Sequence, residues 1–425
     1  MRIFFSVGEP SGDIHGANLI RDMKSRQPSY EFVGFGGPKM EAAGCRLTFD
    51  LTTLAVMGII PVLKQIRLFW RLLGELDSFF AQETIDAVVL IDYPGFNWWV
   101  ARKARRHGIP VFYYGVPQMW GWASWRVRKM RRLVDHALCK LPFEERWYRE
   151  RGCDAHYIGH PFFDEVHRQQ LDQPWMQSYQ QGARLVLLLA GSRTQEVQTH
   201  VGTMLRSVAV LHEKHRDIRF AFAAVSERHA AWMREQVAQS GLPVEVHVGK
   251  TPELIRSAHA CIACSGSVSL ELMAHQIPTV IVYRITPLSW LAQAIARRSK
   301  YITLVNLLAT DRIERDRLAT YDPDRADAEP VPYPEYLTAT DRHRDVARRI
   351  DRWLTDPVER DACVQWLGEL HQRYGQAGAS ERAAEFVIGK LQAGSNDDTV
   401  GATSAPERAQ ADKLADKSTD ESRAA

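Results

Sequence analysis

The sequence has no uninterrupted apolar run of the roughly 18 residues that a bilayer-spanning helix needs, so no membrane span is expected. Its start shows no charged leader followed by an apolar core and a small-residue cleavage site, so no secretory signal is expected there. Cysteine is sparse. There are 6 in 425 residues, and only Cys261 and Cys264 are closely spaced. A lone C-x-x-C is weak support for zinc. Here it lies in the apolar run Ala260-Cys261-Ile262-Ala263-Cys264, so packing in a buried strand is the stronger reading and a reducing compartment fits. The formal charge, +3, is too small to define a partner. What the chain does have is a full core. Its 45% hydrophobic and 25% charged residues are ordinary for a globular protein, and its length favours two domains.

Strand-like runs alternate with helical patterns. In the first half they are Ile3–Val7, Phe32–Phe35, Ala87–Ile91, Val111–Tyr114, Ala137–Leu141 and His156–Ile158. In the second they are Leu185–Leu189, Phe220–Ala224, Val244–Val248, Ala260–Cys264 and Thr279–Tyr283. This alternation predicts an α/β protein with two Rossmann-like, doubly wound domains. The polar stretch from Asp164 to Gly182 reads as their linker. The expected units are 1–165, 180–340, C-terminal helices over 341–392, and a tail over 393–425 too poor in large apolar residues to fold.

Two features depart from that plain pattern. Between Leu63 and Phe80 apolar residues are dense and punctuated by Lys64, Arg67 and Arg71. The segment reads either as a core-facing helix or as an interfacial helix with a cationic rim. Basic clusters at 102–106 and 126–132 read either as solvated helix faces or as contacts for phosphate or a lipid surface.

Four loops carry candidate chemistry. Gly8-Glu9-Pro10-Ser11-Gly12-Asp13-Ile14-His15-Gly16 follows the first strand and opens a helix, a position where ligands bind in parallel sheets. Glu9 and Asp13 would repel a bare phosphate, so this loop suits sugar hydroxyls or proton transfer. Asp92, in Ile91-Asp92-Tyr93-Pro94-Gly95, ends a fully apolar strand and can act as a general base; a turn or capping role is the alternative. In the second half, Ala190-Gly191-Ser192-Arg193-Thr194-Gln195-Glu196 places a forked cation at a helix start, suited to a diphosphate. Ser265-Gly266-Ser267 with Glu271 repeats that design and suits a ribose, with simple capping as the alternative. The aromatic loop Tyr113–Trp122, including Trp120, offers stacking on a sugar or acyl chain, or core packing. Gly159-His160-Pro161 closes the first half, where His160 stabilises the hinge.

In chain order, these motifs resemble the lipid-A-disaccharide synthase family. The matching pieces are Gly8–Asp13, Gly36-Gly37-Pro38 with Met40 and Gly44, Ala55-Val56-Met57-Gly58, Asp92-Tyr93-Pro94, Leu141-Pro142-Phe143-Glu144, Gly159-His160-Pro161, Gly191-Ser192-Arg193, Ser265–Glu271, Tyr283-Arg284 and Asn306-Leu307-Leu308-Ala309. The resemblance implies a glycosyltransferase B fold, two domains facing a cleft. It implies an inverting transfer from UDP-2,3-diacylglucosamine to the 6-hydroxyl of 2,3-diacylglucosamine 1-phosphate, releasing UDP. Asp92 would be the base, with Glu9 and Asp13 as acceptor-side carboxylates. Ser11, Gly12, His15, Met57, Trp120, Gly191, Ser192, Arg193, Glu196, Ser265, Gly266, Ser267, Glu271, Tyr283, Arg284 and Asn306 would bind substrate. No cofactor, metal or nucleic acid is expected. The resemblance also implies a cytoplasmic protein, peripheral on the inner membrane, and admits a homodimer. Another UDP-sugar enzyme of the same fold, such as an epimerase, or a non-catalytic binding protein are the alternatives. Gly95, Pro61, Ala123 and Ala190 depart from the family pattern, and the segment from Thr310 to Pro332 reads as an insertion. These changes bear on acceptor contacts more than on donor contacts.

Overall fold

The computed structural model describes residues 1–54, 59–179, 184–315 and 320–397, with the side chains of 54–66 and 395–397 outside that description. The first half runs β1 (Arg2–Val7), α1 (Pro10–Arg26), β2 (Glu31–Gly36), α2 (Pro38–Ala42), β3 (Cys45–Asp50), α3 (Ile59–Gln82), β4 (Ala87–Ile91), α4 (Pro94–Arg106), β5 (Val111–Tyr114), α5 (Val127–Leu133), β6 (His136–Cys139), α6 (Pro142–Arg149) and β7 (Ala155–Tyr157). Two short helices, α7 (Phe162–Arg168) and α8 (Gln173–Tyr179), occupy the expected linker. The second half runs β8 (Leu185–Leu189), α9 (Thr194–Lys214), β9 (Arg219–Ala224), α10 (Glu227–Ser240), β10 (Val244–Val248), α11 (Thr251–Ser257), β11 (Ala258–Cys264), α12 (Val268–Ala274), β12 (Thr279–Arg284), α13 (Pro287–Ala296), α14 (Leu304–Leu308) and β13 (Glu335–Thr338). It closes with α15 (His343–Thr355), α16 (Pro357–Tyr374) and α17 (Ala379–Asp397).

The strands form two parallel sheets, ordered β3-β2-β1-β4-β5-β6-β7 and β10-β9-β8-β11-β12-β13. Their central strands are mostly apolar because helices cover both faces. Every residue of β4 and of β8 is buried. In each sheet the winding direction reverses beside the first strand, between β1 and β4 and between β8 and β11. Crevices open at the carboxyl ends of the strands at such reversals. The four candidate loops are the ones that follow β1, β4, β8 and β11. The topology therefore places them before any side chain is considered.

Two strands escaped the sequence reading. β3 is an edge strand, half exposed and mixed in composition. β13 is a four-residue edge strand built around the buried Glu335. Cys261 and Cys264 are both buried on β11, where burial pushes the Cys264 thiol up to about 12. In α3, Leu72, Leu73, Leu76 and Phe80 pack into the core, as the core-facing reading expects, while Trp70 stays exposed.

The chain crosses between the halves twice. α16 packs against α12, and α17 returns to lie along α1. Asp164, in the first crossing, accepts the N–H groups of Gly378, Ala379 and Ser380 at 2.6, 3.1 and 3.0 Å, and so clasps the second crossing. Arg382 Nε donates to the Ile158 carbonyl at 2.9 Å. α17 continues through Asp397, past the Ala393 boundary of the expected tail; from residue 398 onward the tail lies outside the described residues.

Candidate active site

Asp92 and Tyr93 both adopt left-handed backbone conformations, with φ of 45° and 44°. For non-glycine residues this is strain, and it persists only where the surroundings impose it. They do so here. The buried Asn97 side chain donates to the carbonyls of Ile91, Asp92 and Ser6 at 3.2, 2.8 and 3.3 Å, and accepts from Ser6 Oγ at 2.7 Å. The Tyr113 hydroxyl donates to the Asp92 carbonyl at 2.7 Å. The strained turn leaves the Asp92 carboxylate a quarter exposed at the crevice, with Lys140 Nζ 3.0 Å from Oδ1. Among the described residues Oδ2 accepts no hydrogen bond.

Glu9 shares this space. Burial pushes its carboxyl above the usual range and the Asp92 charge adds to the push, while Arg193 and Lys140 oppose it. The influence of Arg193 links the two halves, since it sits on the loop after β8. The close approach of this loop to the Asp92 turn also explains a glycine. A Cβ at Gly8 would fall 2.3 Å from the Tyr93 ring. Lys140 itself was missed by sequence reasoning. Its only signal was its place immediately after β6, at the carboxyl edge of the same sheet.

Asp13 does not join Glu9 and Asp92. Its carboxylate is buried and accepts the N–H groups of Gly37, Lys39 and Met40, each at 3.0 Å, capping α2. Those three bonds fix the loop after β2 and leave Asp13 no reach into the crevice, which corrects its expected catalytic place. Gly12 packs α1 against the sheet, since a Cβ would meet Val7 at 2.8 Å. Ser11 is exposed; His15 is buried, with Nδ1 3.2 Å from Glu165. Met57 lies outside the described residues. His160 is buried at the first crossing, where its Nδ1 accepts from the Phe162 N–H at 3.2 Å.

On the second half, Arg193 and Glu196 line all three cavities around the β8 loop, of about 650, 820 and 230 Å³. The smallest is walled by Gly191, Ser192, Arg193, Ser265, Gly266 and Ser267. The 820 Å³ cavity adds Tyr283 and Arg284. The 650 Å³ cavity joins Trp120 and Trp122 of the first half to Arg193, Ser265 and Tyr283 of the second. Glu196 folds back on its own helix start. It accepts the N–H groups of Ser192 and Arg193 at 3.1 and 3.2 Å and pairs with the Arg193 guanidinium at 3.1 Å. These backbone donors are therefore occupied, and a diphosphate would be met first by the largely exposed Arg193 side chain.

Three expected ligand residues are turned to other partners. Asn306 is fully buried; its amide donates to the Tyr333 carbonyl and Glu335, and accepts from the Tyr333 N–H, tying α14 to β13. Glu271 is buried and accepts from Gln169 at 3.0 Å. Trp120 is buried too, and its indole N–H donates to Glu144 at 3.1 Å. Burial pushes Glu144 up to about 7 against the pull of Lys140 and of its donors.

The segment expected as an insertion binds the halves together. Trp147 and Arg151 reach Glu314 at 3.1 and 3.2 Å, and Arg146 donates to the Asp311 carbonyl at 2.7 Å. Among the described residues, one group of side chains could share a cation, His136, Asp154 and His156. It lies at the start of β6 and β7, the edge opposite the crevice, and its members already bond one another.

The basic clusters divide between two kinds of partner. Lys103 and Arg105 pair with Asp77 and Asp135, at 2.7 and 2.8 Å. Arg102 and Arg126 instead lie over the exposed rings of Trp99 and Trp122, at 4.8 and 5.6 Å. Trp70 meets Trp99 edge-on at 5.1 Å, and Trp125 is 69% exposed.

A family model described as lipid-A-disaccharide synthetase matches residues 3–324. A lipid-A-disaccharide synthase from Geobacter sulfurreducens is 32% identical over 392 residues, covering 92% of this chain and 97% of the relative. One from Alkalilimnicola ehrlichii is 33% identical over 366 residues, covering 82% and 92%. Among solved structures, a putative UDP-N-acetylglucosamine 2-epimerase from Listeria monocytogenes superposes with TM-score 0.62 at 11% identity, covering 92% of this chain and 96% of that one. The calicheamicin glycosyltransferase CalG4 superposes with TM-score 0.54 at 13% identity, covering 92% and 98%. At such identities these two likenesses concern the fold alone: two Rossmann-like domains of the glycosyltransferase B type.

Proposed function

We propose how this chain, which belongs to the lipid-A-disaccharide synthetase family, carries out its reaction. It is a glycosyltransferase that forms the lipid A disaccharide from a UDP-sugar and a lipid acceptor. In our reading the donor is UDP-2,3-diacylglucosamine and the acceptor 2,3-diacylglucosamine 1-phosphate. The acceptor 6-hydroxyl oxygen forms a bond to the donor's anomeric carbon from the face opposite the UDP. The bond from that carbon to the diphosphate oxygen breaks, and the hydroxyl proton passes to Asp92 Oδ2. The anomeric centre inverts and UDP leaves with the bonding pair.

The observation that carries this reading is the Asp92 turn, a strained acid ion-paired with Lys140 at 3.0 Å and beside Glu9, on which Arg193 of the other half also acts. Lys140 orients the carboxylate through Oδ1 and leaves Oδ2 to receive the proton. Glu9, held toward its neutral form, supplies a second hydrogen-bonding carboxyl for the acceptor sugar. Arg193 takes the charge that builds on the diphosphate, with Ser265 and Ser267 close by. Arginine and serine donors suffice for that charge, and we assign no metal.

The exposed Trp70, Trp99, Trp122 and Trp125, with their stacked arginines, support a peripheral membrane contact for this protein. No described helix is long and apolar enough to cross a bilayer. The test of the reaction is incubation of purified protein with both acylated sugars, read by mass spectrometry. A disaccharide 1-phosphate formed in step with UDP is expected. If no disaccharide forms at any acyl length, the substrate assignment falls.

A further inference from the structure

Arg297 has no part in the scheme above, and its surroundings do not account for it. It follows α13 directly and is only 6% exposed. Yet none of its three guanidinium nitrogens makes a hydrogen bond among the described residues. A buried cation with no bonded partner has lost its hydration for nothing in return, so a lone buried arginine is a rare way to fill space. The nearest acid does not rescue it. Glu335 attracts it, but that carboxylate is already filled by the N–H groups of Ile302 and Thr303 and the Asn306 amide, at 2.8, 3.0 and 3.0 Å. Arg315 repels it, and burial weakens its hold on its proton.

The position of this guanidinium gives it a purpose. Arg297 lines the 650 Å³ cavity together with Arg193, Trp120, Ser265 and Tyr283, with its three guanidinium nitrogens closed off from solvent. The backbone there is pinned, since the Arg298 N–H donates to the Gly121 carbonyl at 2.7 Å, within the Trp120–Trp122 loop of the other half. We propose that Arg297 is a phosphate-binding residue of this cavity, a second cation beside Arg193 for a phosphate group carried by a substrate. Five N–H donors in a rigid fork suit phosphate oxygens, and a dry site raises the strength of each bond. The helix that delivers Arg297 exposes Leu288, Leu291 and Ile295, so a phosphate borne by an acylated sugar would have apolar surface next to it.

The inference rests on the function proposed above for the source of the phosphate, which is either the donor's diphosphate or the acceptor's 1-phosphate. Binding of inorganic pyrophosphate, UDP and 2,3-diacylglucosamine 1-phosphate is measured calorimetrically for wild type, Arg297→Met and Arg297→Lys. Arg297→Met should melt no lower than wild type without ligand, because it buries a shape-matched apolar chain in place of an unpaired charge. It should bind pyrophosphate about 10-fold or more weakly, with Arg297→Lys in between. Weakened UDP binding alone assigns the donor's diphosphate; weakened acceptor binding alone assigns the 1-phosphate. Unchanged affinity for all three probes overturns the proposal, and so does a lowered melting temperature with unchanged affinities. If Arg297→Met does not fold, Arg297→Gln takes its place under the same criteria. Wild type that binds pyrophosphate through Arg297 but neither UDP nor the lipid sugar would sink the proposed reaction and leave this site standing.

Discussion

The two halves repeat one strand order around their reversal points and put opposite chemistry there. After β1 and β4 the first half presents carboxylates, Glu9 and a strained Asp92, with a single lysine as counter-charge. After β8 and β11 the second presents Arg193 and a run of serines and glycine, with its acids turned to other partners, Glu196 back onto the helix start and Glu271 to Gln169. The sheet supplies the place and the loop supplies the sign of the charge. An acid-lined half suits activation of a hydroxyl and a cation-lined half suits a departing diphosphate, so the proposed reaction divides between the halves as the charges do.

Substitutions on either side should then fail in different ways. The largest effect is expected from Asp92→Asn, a loss of turnover of about 1,000-fold with UDP affinity unchanged; undiminished turnover would move the base elsewhere, with Glu9 the next candidate. Arg193→Ala should do the converse, weakening UDP about 10- to 100-fold while the KM for the acceptor stays put. If both variants lost UDP affinity equally, the division of labour would be wrong. Trp70→Ser with Trp99→Ser tests whether the first half alone meets the membrane. Sedimentation with anionic vesicles should fall several-fold, while turnover on detergent-dispersed substrates holds. The smallest effect concerns Glu144. Burial keeps its proton on up to about pH 7, above the unfolded carboxyl, so its contribution to stability is full in acid and is lost as pH rises through about 7. Melting temperature should fall between about pH 5 and 8 more in wild type than in Glu144→Gln; parallel curves would refute that charge state.

The central strands and all four loops were legible because buried parallel strands are apolar throughout and are punctuated by glycine and serine. The residues that went astray did so for reasons of tertiary contact. Asp13 sits one helical turn from Glu9 in sequence, but its oxygens are claimed by N–H groups 24 to 27 residues away. Asn306 lies in a family motif, yet its partners are Tyr333 and Glu335 on an edge strand too short to announce itself. Lys140 and Arg297 are cations, which sequence reasoning assigns to the surface; only packing reveals that one pairs with Asp92 and the other is buried with no hydrogen bond among the described residues. The left-handed turn at Asp92 and Tyr93 has little local signature, since an aspartate tolerates that conformation but a tyrosine after it does not favour it, and Asn97 and Tyr113 hold it from elsewhere in the fold.

The clasp at Asp164 governs how the molecule can move. A body joined to another by one flexible strap can swing and twist freely; two straps fastened side by side behave as the pins of a hinge. Because Asp164 on the outgoing crossing holds the returning chain at Gly378, Ala379 and Ser380, the two crossings are fastened side by side, the arrangement of a hinge rather than of a loose tether. A protease that severs one crossing would still leave the halves held together by the other.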